Sequence, residues 1–228
     1  MQEKTPECIG IILDGNRRWA KENNLPKLEG HRRGYERAIE CARWVRDRGI
    51  KHLAVFAFST ENWNRETVEV TYLMKLFERM ALKEGSLPRL AKEGVRIRFI
   101  GKFEMLPDST RRAISAVEKQ SAENKDLTLW VCLSYGGRAE IVAAANSAVE
   151  AGEELTEQTL RRHFWSADMP DPDIVVRTGG VFRLSNFLLW QTAYSELFFI
   201  DTLWPEFSEK MLDEILEEYN KRERRMGK

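Results

Sequence analysis

Short apolar runs alternate along this chain with longer stretches of helical periodicity. The runs are Cys8–Leu13, His52–Phe58, Val95–Ile100, Leu127–Ser134, Asp173–Arg177 and Glu196–Ile200, most of them rich in Val, Ile, Leu or Phe. Runs of this kind read as strands buried on both faces. Between them, His31–Arg48, Glu66–Glu84, Asp108–Glu123, Arg138–Glu150, Thr156–Phe164 and Phe207–Arg224 carry apolar residues at helical spacing. The alternation predicts an α/β fold: a mainly parallel, six-stranded sheet with helices on both faces. No repeat, Gly/Ser linker or low-complexity tract interrupts it, so residues 1–228 are expected to form a single domain.

The residues that follow the strands carry the chemistry. The first run leads into Asp14-Gly15-Asn16-Arg17-Arg18-Trp19, and the second into Ser59-Thr60-Glu61-Asn62-Trp63-Asn64-Arg65. The fourth leads into Tyr135-Gly136-Gly137-Arg138, and the fifth into Arg177-Thr178-Gly179-Gly180 and Arg183-Leu184-Ser185-Asn186. Open α/β sheets bind ligands beyond the carboxyl ends of their strands, so these segments are expected to converge. Arg presents a planar fork of donors to phosphate oxygens, and Gly lets backbone N–H groups approach an anion. A helix starting after Asn16 would direct its positive end at the same anion. Several such edges imply more than one phosphate. Asp14 is a carboxylate among cations and amides, and it suits either a divalent cation beside phosphates, such as Mg²⁺, or a cap on the following helix.

Charge and composition narrow the field. Lys plus Arg and Asp plus Glu each number 36, and this zero balance argues against a nucleic-acid binder, which relies on excess positive charge. Three dispersed cysteines suit reduced, buried thiols in a cytoplasmic protein rather than a disulfide framework. No apolar run is long enough to span a bilayer, which leaves only peripheral contact with a membrane open. There is no GxGxxG and no GxxxxGK[ST]. Within Glu66–Glu84, the residues Val68, Val70, Leu73, Met74, Leu76, Phe77, Met80 and Ala81 form one broad apolar face, which suits either core packing or the wall of an apolar tunnel.

The run from Ile11 to Ala20 resembles the opening signature of the cis-prenyltransferases, the undecaprenyl diphosphate synthase family. The resemblance continues in order through Gly30-His31, Phe58–Arg65, Tyr135–Arg138, Arg177–Gly180, Arg183–Phe187, Glu196 and Leu203-Trp204-Pro205. It implies condensation of isopentenyl diphosphate with an allylic diphosphate such as farnesyl or geranyl diphosphate. Asp14 would bind Mg²⁺ and act with Asn62 in catalysis. Gly15, Asn16, Arg17, Arg18, Trp19, Lys27, His31 and Arg65 would hold the allylic diphosphate. Ser59 and Trp63 would line the reacting centre. Arg177, Arg183 and Ser185 would hold isopentenyl diphosphate, joined by Arg225 and Gly227 of the C-terminal RxG element. Glu196 would assist the metal across a homodimer interface, and Leu73, Leu76 and Phe77 would line a product tunnel. The chain departs from the family pattern in two places: Val181 stands where Glu is usual, and Lys27 where Arg is usual. Lys attracts phosphate without the bidentate fork.

Two other classes share parts of this pattern. An aspartyl phosphatase also opens on an apolar strand and an Asp, but wants a second acid where this chain has Asn16. A non-catalytic subunit of a heteromeric transferase would not be expected to keep Asp14, Asn62, Arg177 and Arg183.

Overall fold

The computed structural model describes residues 5–222. Six strands are present: β1 (Cys8–Ile12), β2 (His52–Ser59), β3 (Val95–Ile100), β4 (Leu127–Tyr135), β5 (Ile174–Arg177) and β6 (Glu196–Phe199). They form one sheet in the order β3-β4-β2-β1-β5-β6, and every pairing is parallel. All six lie on the runs read from the sequence, because strands covered on both faces leave little room for polar residues. The helices are α1 (Asn16–Glu22), α2 (Lys27–Asp47), α3 (Thr67–Ala81), α4 (Ser86–Lys92), α5 (Asp108–Ser121), α6 (Gly137–Glu150), α7 (Glu157–His163) and α8 (Glu209–Lys221). α4 was not anticipated. It is short and carries Pro88, which is tolerated because it falls in the first turn.

Alternate residues of each central strand enter different cores. Ile9, Ile11, Leu53 and Val55 point into the larger cluster, with α2, α3, α4, α5 and α8. Ile12, Ala54, Trp130 and Cys132 point to the opposite face, against Met169, Phe187 and Leu188. A buried carboxylate braces this second face. Glu140 of α6 accepts hydrogen bonds from the Tyr135 hydroxyl at 2.5 Å, the Ser166 N–H at 2.9 Å and Gln191 Nε2 at 2.8 Å. Such a group is tolerated inside because its lone pairs are occupied. Cys8, Cys41 and Cys132 are buried and free, as expected. No helix among the described residues is long and apolar enough to cross a membrane.

The topology determines where a ligand can sit. The chain passes from β1 to β2 on one side and later returns to place β5 on the other side of β1. The crevice at such a switch opens at the carboxyl ends of the strands, here at Ile12, Ser59 and Arg177.

Candidate active site

A cavity of about 700 Å³ occupies that crevice. Its wall contains Ile12 to Arg18 after β1, Ser59, Asn62 and Arg65 after β2, and Arg177, Arg183 and Ser185 after β5. Lys21 of α1 and Lys27 and His31 of α2 complete it. Among the described lining residues Asp14 is the single carboxylate, facing Arg17, Arg18, Lys21, Lys27, Arg65, Arg177 and Arg183. This excess of positive charge in a concave, partly desolvated wall suits polyanions.

Asp14 is held from two directions. Arg177 Nη2 donates to Asp14 Oδ2 at 2.8 Å, and Arg18 Nη2 to Oδ1 at 3.2 Å. The Asp14 carbonyl accepts from the Thr178 hydroxyl at 2.6 Å and from the Trp204 N–H at 2.9 Å. Asp14 is therefore not a helix cap. The N-cap of α1 is Gly15, and no side chain caps that end. Gly15 has φ 114°, and a Cβ there would lie 2.9 Å from the Leu203 backbone, so the turn admits only glycine without a shift. The Arg177 guanidinium is almost fully buried. Its Nη1 donates to the Ser185 hydroxyl at 2.7 Å and to the Arg183 carbonyl.

The opposite wall is built on a buried acid. Glu69 of α3 is 1% exposed and lies 3.0 Å from His31 Nε2, 3.1 Å from Arg65 Nη1 and 3.6 Å from Lys27 Nζ. Burial by itself would raise the Glu69 carboxyl, but the His31 hydrogen bond and the Arg65 and Arg17 charges outweigh it and leave the group below its usual range. Burial lowers the His31 imidazole below the ordinary histidine value, more than Glu69 raises it. Neutral His31 then donates from Nε2 to Glu69 and keeps Nδ1 as its acceptor. The Ser59 N–H donates to Asn62 Oδ1 at 3.2 Å, which leaves the amide nitrogen of Asn62 as the donor available to the cavity.

A second cavity, of about 70 Å³, adjoins the first and shares Leu13, Asn16, His31, Ala57 and Leu73 with it. Its other walls are almost wholly apolar: Leu76, Phe77 and Met80 of α3, Ala38 and Ile39 of α2, and Leu129 and Val131 of β4.

Comparison with known proteins gives the family of the chain. Residues 12–227 match the prenyltransferase family model described as "Putative undecaprenyl diphosphate synthase". The chain belongs to this family, the cis-prenyltransferases. An isoprenyl transferase of Thermotoga maritima is 45% identical, with 98% of this chain and 97% of that protein covered. A tritrans,polycis-undecaprenyl-diphosphate synthase (geranylgeranyl-diphosphate specific) of Pyrococcus horikoshii is also 45% identical, over 98% and 87% of the two chains. Among solved structures, lavandulyl diphosphate synthase from Lavandula x intermedia, in complex with dimethylallyl diphosphate, superposes with a TM-score of 0.92. It is 33% identical and covers 98% and 99% of the two chains. A probable undecaprenyl diphosphate synthase of Campylobacter jejuni gives 0.84 at 32% identity, over 99% and 100%. The protein is thus a prenyl-transferring enzyme.

Most of the residues expected in the site of this cis-prenyltransferase do meet there: Asp14, Gly15, Asn16, Arg17, Arg18, Lys27, His31, Ser59, Asn62, Arg65, Arg177, Arg183 and Ser185 all line the one cavity. Three expected residues among those described do not: Trp19, Trp63 and Glu196. Trp19, three positions into α1, turns away and donates to Glu206 at 3.2 Å. Trp63 stands behind the wall, edge-on to Phe58 at 5.1 Å, and donates to the Ser134 hydroxyl at 3.0 Å. Glu196 begins the edge strand β6 and pairs with Arg222 at 2.8 Å, outside this chain's own cavity. Leu73 borders both cavities, whereas Leu76 and Phe77 border only the apolar one. Arg225 and Gly227 lie outside the described residues.

Glu69 and Thr178 were not read from the sequence. Glu69 did leave a trace: it falls four residues before Leu73 and eight before Phe77, so a carboxylate sits on the apolar stripe of α3. Thr178 stands in the Arg177–Gly180 run, but its contact left no sign there, since it joins residues 164 positions apart.

Proposed function

We propose that this cis-prenyltransferase condenses isopentenyl diphosphate with an allylic diphosphate, releasing diphosphate and extending a Z-configured polyprenyl diphosphate. The observation that carries this reading is the single carboxylate, Asp14, in a cationic cavity that opens onto an apolar one. The two diphosphates divide between the walls. Gly15 to Arg18, Lys27 and Arg65 hold the allylic one, while Arg177, Arg183 and Ser185 hold that of isopentenyl diphosphate. Ser59, Asn62 and His31 lie between them at the reacting carbons.

The donor set fits Mg²⁺. No cluster of three or more potential ligands exists among the described residues, and Mg²⁺ commonly takes one or two carboxylates, with substrate phosphates and water completing its shell. Asp14 would hold it. When bound, the ion supplies charge that stabilises the departing diphosphate. Arg18 and Arg65 stabilise the same developing charge with donors already in place. Asp14, already braced through its carbonyl, needs no rearrangement of its backbone. Holding the two substrates end to end supplies the remaining advantage, because the coupling then becomes effectively intramolecular.

The growing tail enters the space between α2, α3 and the sheet. At about 70 Å³ that space is small beside a lengthening isoprenoid, so its walls must part as the tail grows. Glu196 and the Arg225–Gly227 segment act in the site of a second copy. Supporting this, Glu196 lies on an edge strand, and Phe182 and Tyr194 nearby in sequence are each 76% exposed. A product with a charged head and a long apolar tail suits a cytoplasmic enzyme that releases it at a membrane surface.

The test is incubation of the purified protein with Mg²⁺, labelled isopentenyl diphosphate and several allylic primers, followed by product sizing and double-bond analysis. A ladder of Z-configured products is expected. A single branched product, or none with any primer, would overturn chain elongation.

A further inference from the structure

The loop that carries Arg183 and Ser185 has an unusual backbone. Ser185, Asn186 and Leu188 have φ values of 51°, 69° and 42°, in the left-handed region that side chains disfavour. Such a conformation persists where its surroundings over-determine it. The bonds that do so converge on Asn186. Its carbonyl accepts from the Gly137 N–H at 2.7 Å, and its Oδ1 from the Arg138 N–H at 2.8 Å, both at the start of α6. Its Nδ2 donates to Glu61 Oε1 at 2.8 Å. Glu61 belongs to the turn between Ser59 and Asn62, both of which line the cavity. The approach is close. A Cβ on Gly136 would stand 2.7 Å from Asn186 Nδ2 and 2.5 Å from Thr60 Oγ1. On the far side of the loop, Ser185 Oγ accepts from Arg177.

We propose that Asn186 is a positioning residue: a clip that holds the isopentenyl diphosphate loop in its left-handed turn and ties it to the reacting-centre turn through Glu61. Asn is well suited, since it tolerates this backbone and carries an acceptor and a donor on one rigid amide. Without the clip the loop relaxes, Ser185 leaves Arg177, and the buried guanidinium loses a partner that aims it. The Glu61 bond also sets the distance between the two substrates, which a coupling reaction must hold closely. This inference rests on the assignment of Arg177, Arg183 and Ser185 to isopentenyl diphosphate.

The test is steady-state kinetics with each substrate varied in turn. Asn186→Gly keeps the left-handed backbone but removes both side-chain bonds. The isopentenyl diphosphate KM is expected to rise ~10-fold while the allylic KM stays within ~2-fold, as the loss of one or two hydrogen bonds implies. Asn186→Asp keeps the acceptor for Arg138 but sets a carboxylate against Glu61, and it should raise the same KM. Adding Glu61→Gln restores a donor facing that carboxylate, so the double variant should recover most of the loss. Arg183→Ala guards the underlying assignment: an unchanged isopentenyl diphosphate KM there would withdraw the assignment and the clip together. If Arg183→Ala does raise it, then an unchanged KM in Asn186→Gly overturns the clip alone. So does an equal rise in both KM values with a lowered melting temperature.

Discussion

The two cavities share a wall but are prepared in opposite ways. The cationic one is open at about 700 Å³, and Asp14, Arg18, Arg65 and Arg177 are already bonded to other charged groups or to the backbone. The apolar one is narrow, at about 70 Å³. Charged groups in a partly buried site are costly to leave unpaired, so they are set in advance and the ligand replaces partners rather than creating them. Apolar side chains have no such demand. An empty apolar void loses contacts on all its walls, so a narrow space is the stable state until an apolar group fills it. Preorganisation is thus concentrated in the cationic cavity, and adaptability in the apolar one.

The strongest way to break the comparison is Asp14→Ala. Turnover should fall by at least ~100-fold while circular dichroism stays native, because the lost group acts on charge that develops during reaction. Near-normal turnover at saturating Mg²⁺ would remove Asp14 from the metal site. Next comes Phe77→Ala on the apolar side, where a stability loss of about 3 kcal/mol is expected by chemical denaturation, from lost burial and the cavity left behind. Its products should lengthen and those of Leu76→Trp should shorten, read by chromatography of the extracted lipids. Unchanged product lengths in folded, active forms of both would return α3 to plain core.

A smaller effect tests whether the cationic wall is set by its buried acid. Glu69→Gln should raise the allylic KM ~10-fold and leave that of isopentenyl diphosphate nearly unchanged, since Lys27, His31 and Arg65 all lean on this carboxylate. Equal changes in both values would count against two separately braced walls.

The smallest expected effect is on acid stability. The folded His31 lies below its unfolded value of about 6.5. As pH falls through that value the unfolded chain takes up the proton first, and the folded state loses ground until His31 itself titrates. Glu69 is also depressed, so its contribution is present above its unfolded pKa and is lost at lower pH, as the solution passes through its folded value. Melting temperature should therefore drop by roughly 2–4 °C more between pH 7 and 5 in the wild type than in His31→Gln, which has no proton to gain there. Parallel pH curves would remove His31 as the cause.

Much of the architecture was legible beforehand, for definable reasons. Strands enclosed on both sides cannot hide among polar residues, and all six were visible. Helix ends were less so: the predicted His31–Arg48 begins at Lys27, because Pro26 is an N-cap that leaves no apolar mark. The Gly and Arg clusters after β1 and β5 pointed to a phosphate ligand, since few other ligands ask for that combination. Trp19 and Trp63 do not line the cavity with the rest of their motifs, because a motif groups residues by sequence, whereas a helical turn points successive side chains to different sides.

By itself, the sequence determined the strands, the helices that cover them, and the kinds of group gathered at the carboxyl ends of the sheet. These follow from local periodicity and from what each side chain can bind. Only the tertiary structure decided the strand order β3-β4-β2-β1-β5-β6, and with it which ends share the crevice. It also decided that Glu69 faces inward to Lys27 and His31, that Thr178 secures the Asp14 carbonyl, and that Asn186 bridges Arg138 and Glu61. Each of these joins groups far apart along the chain, and a hydrogen bond needs direction and a separation of about 3 Å, which residue type and spacing do not encode.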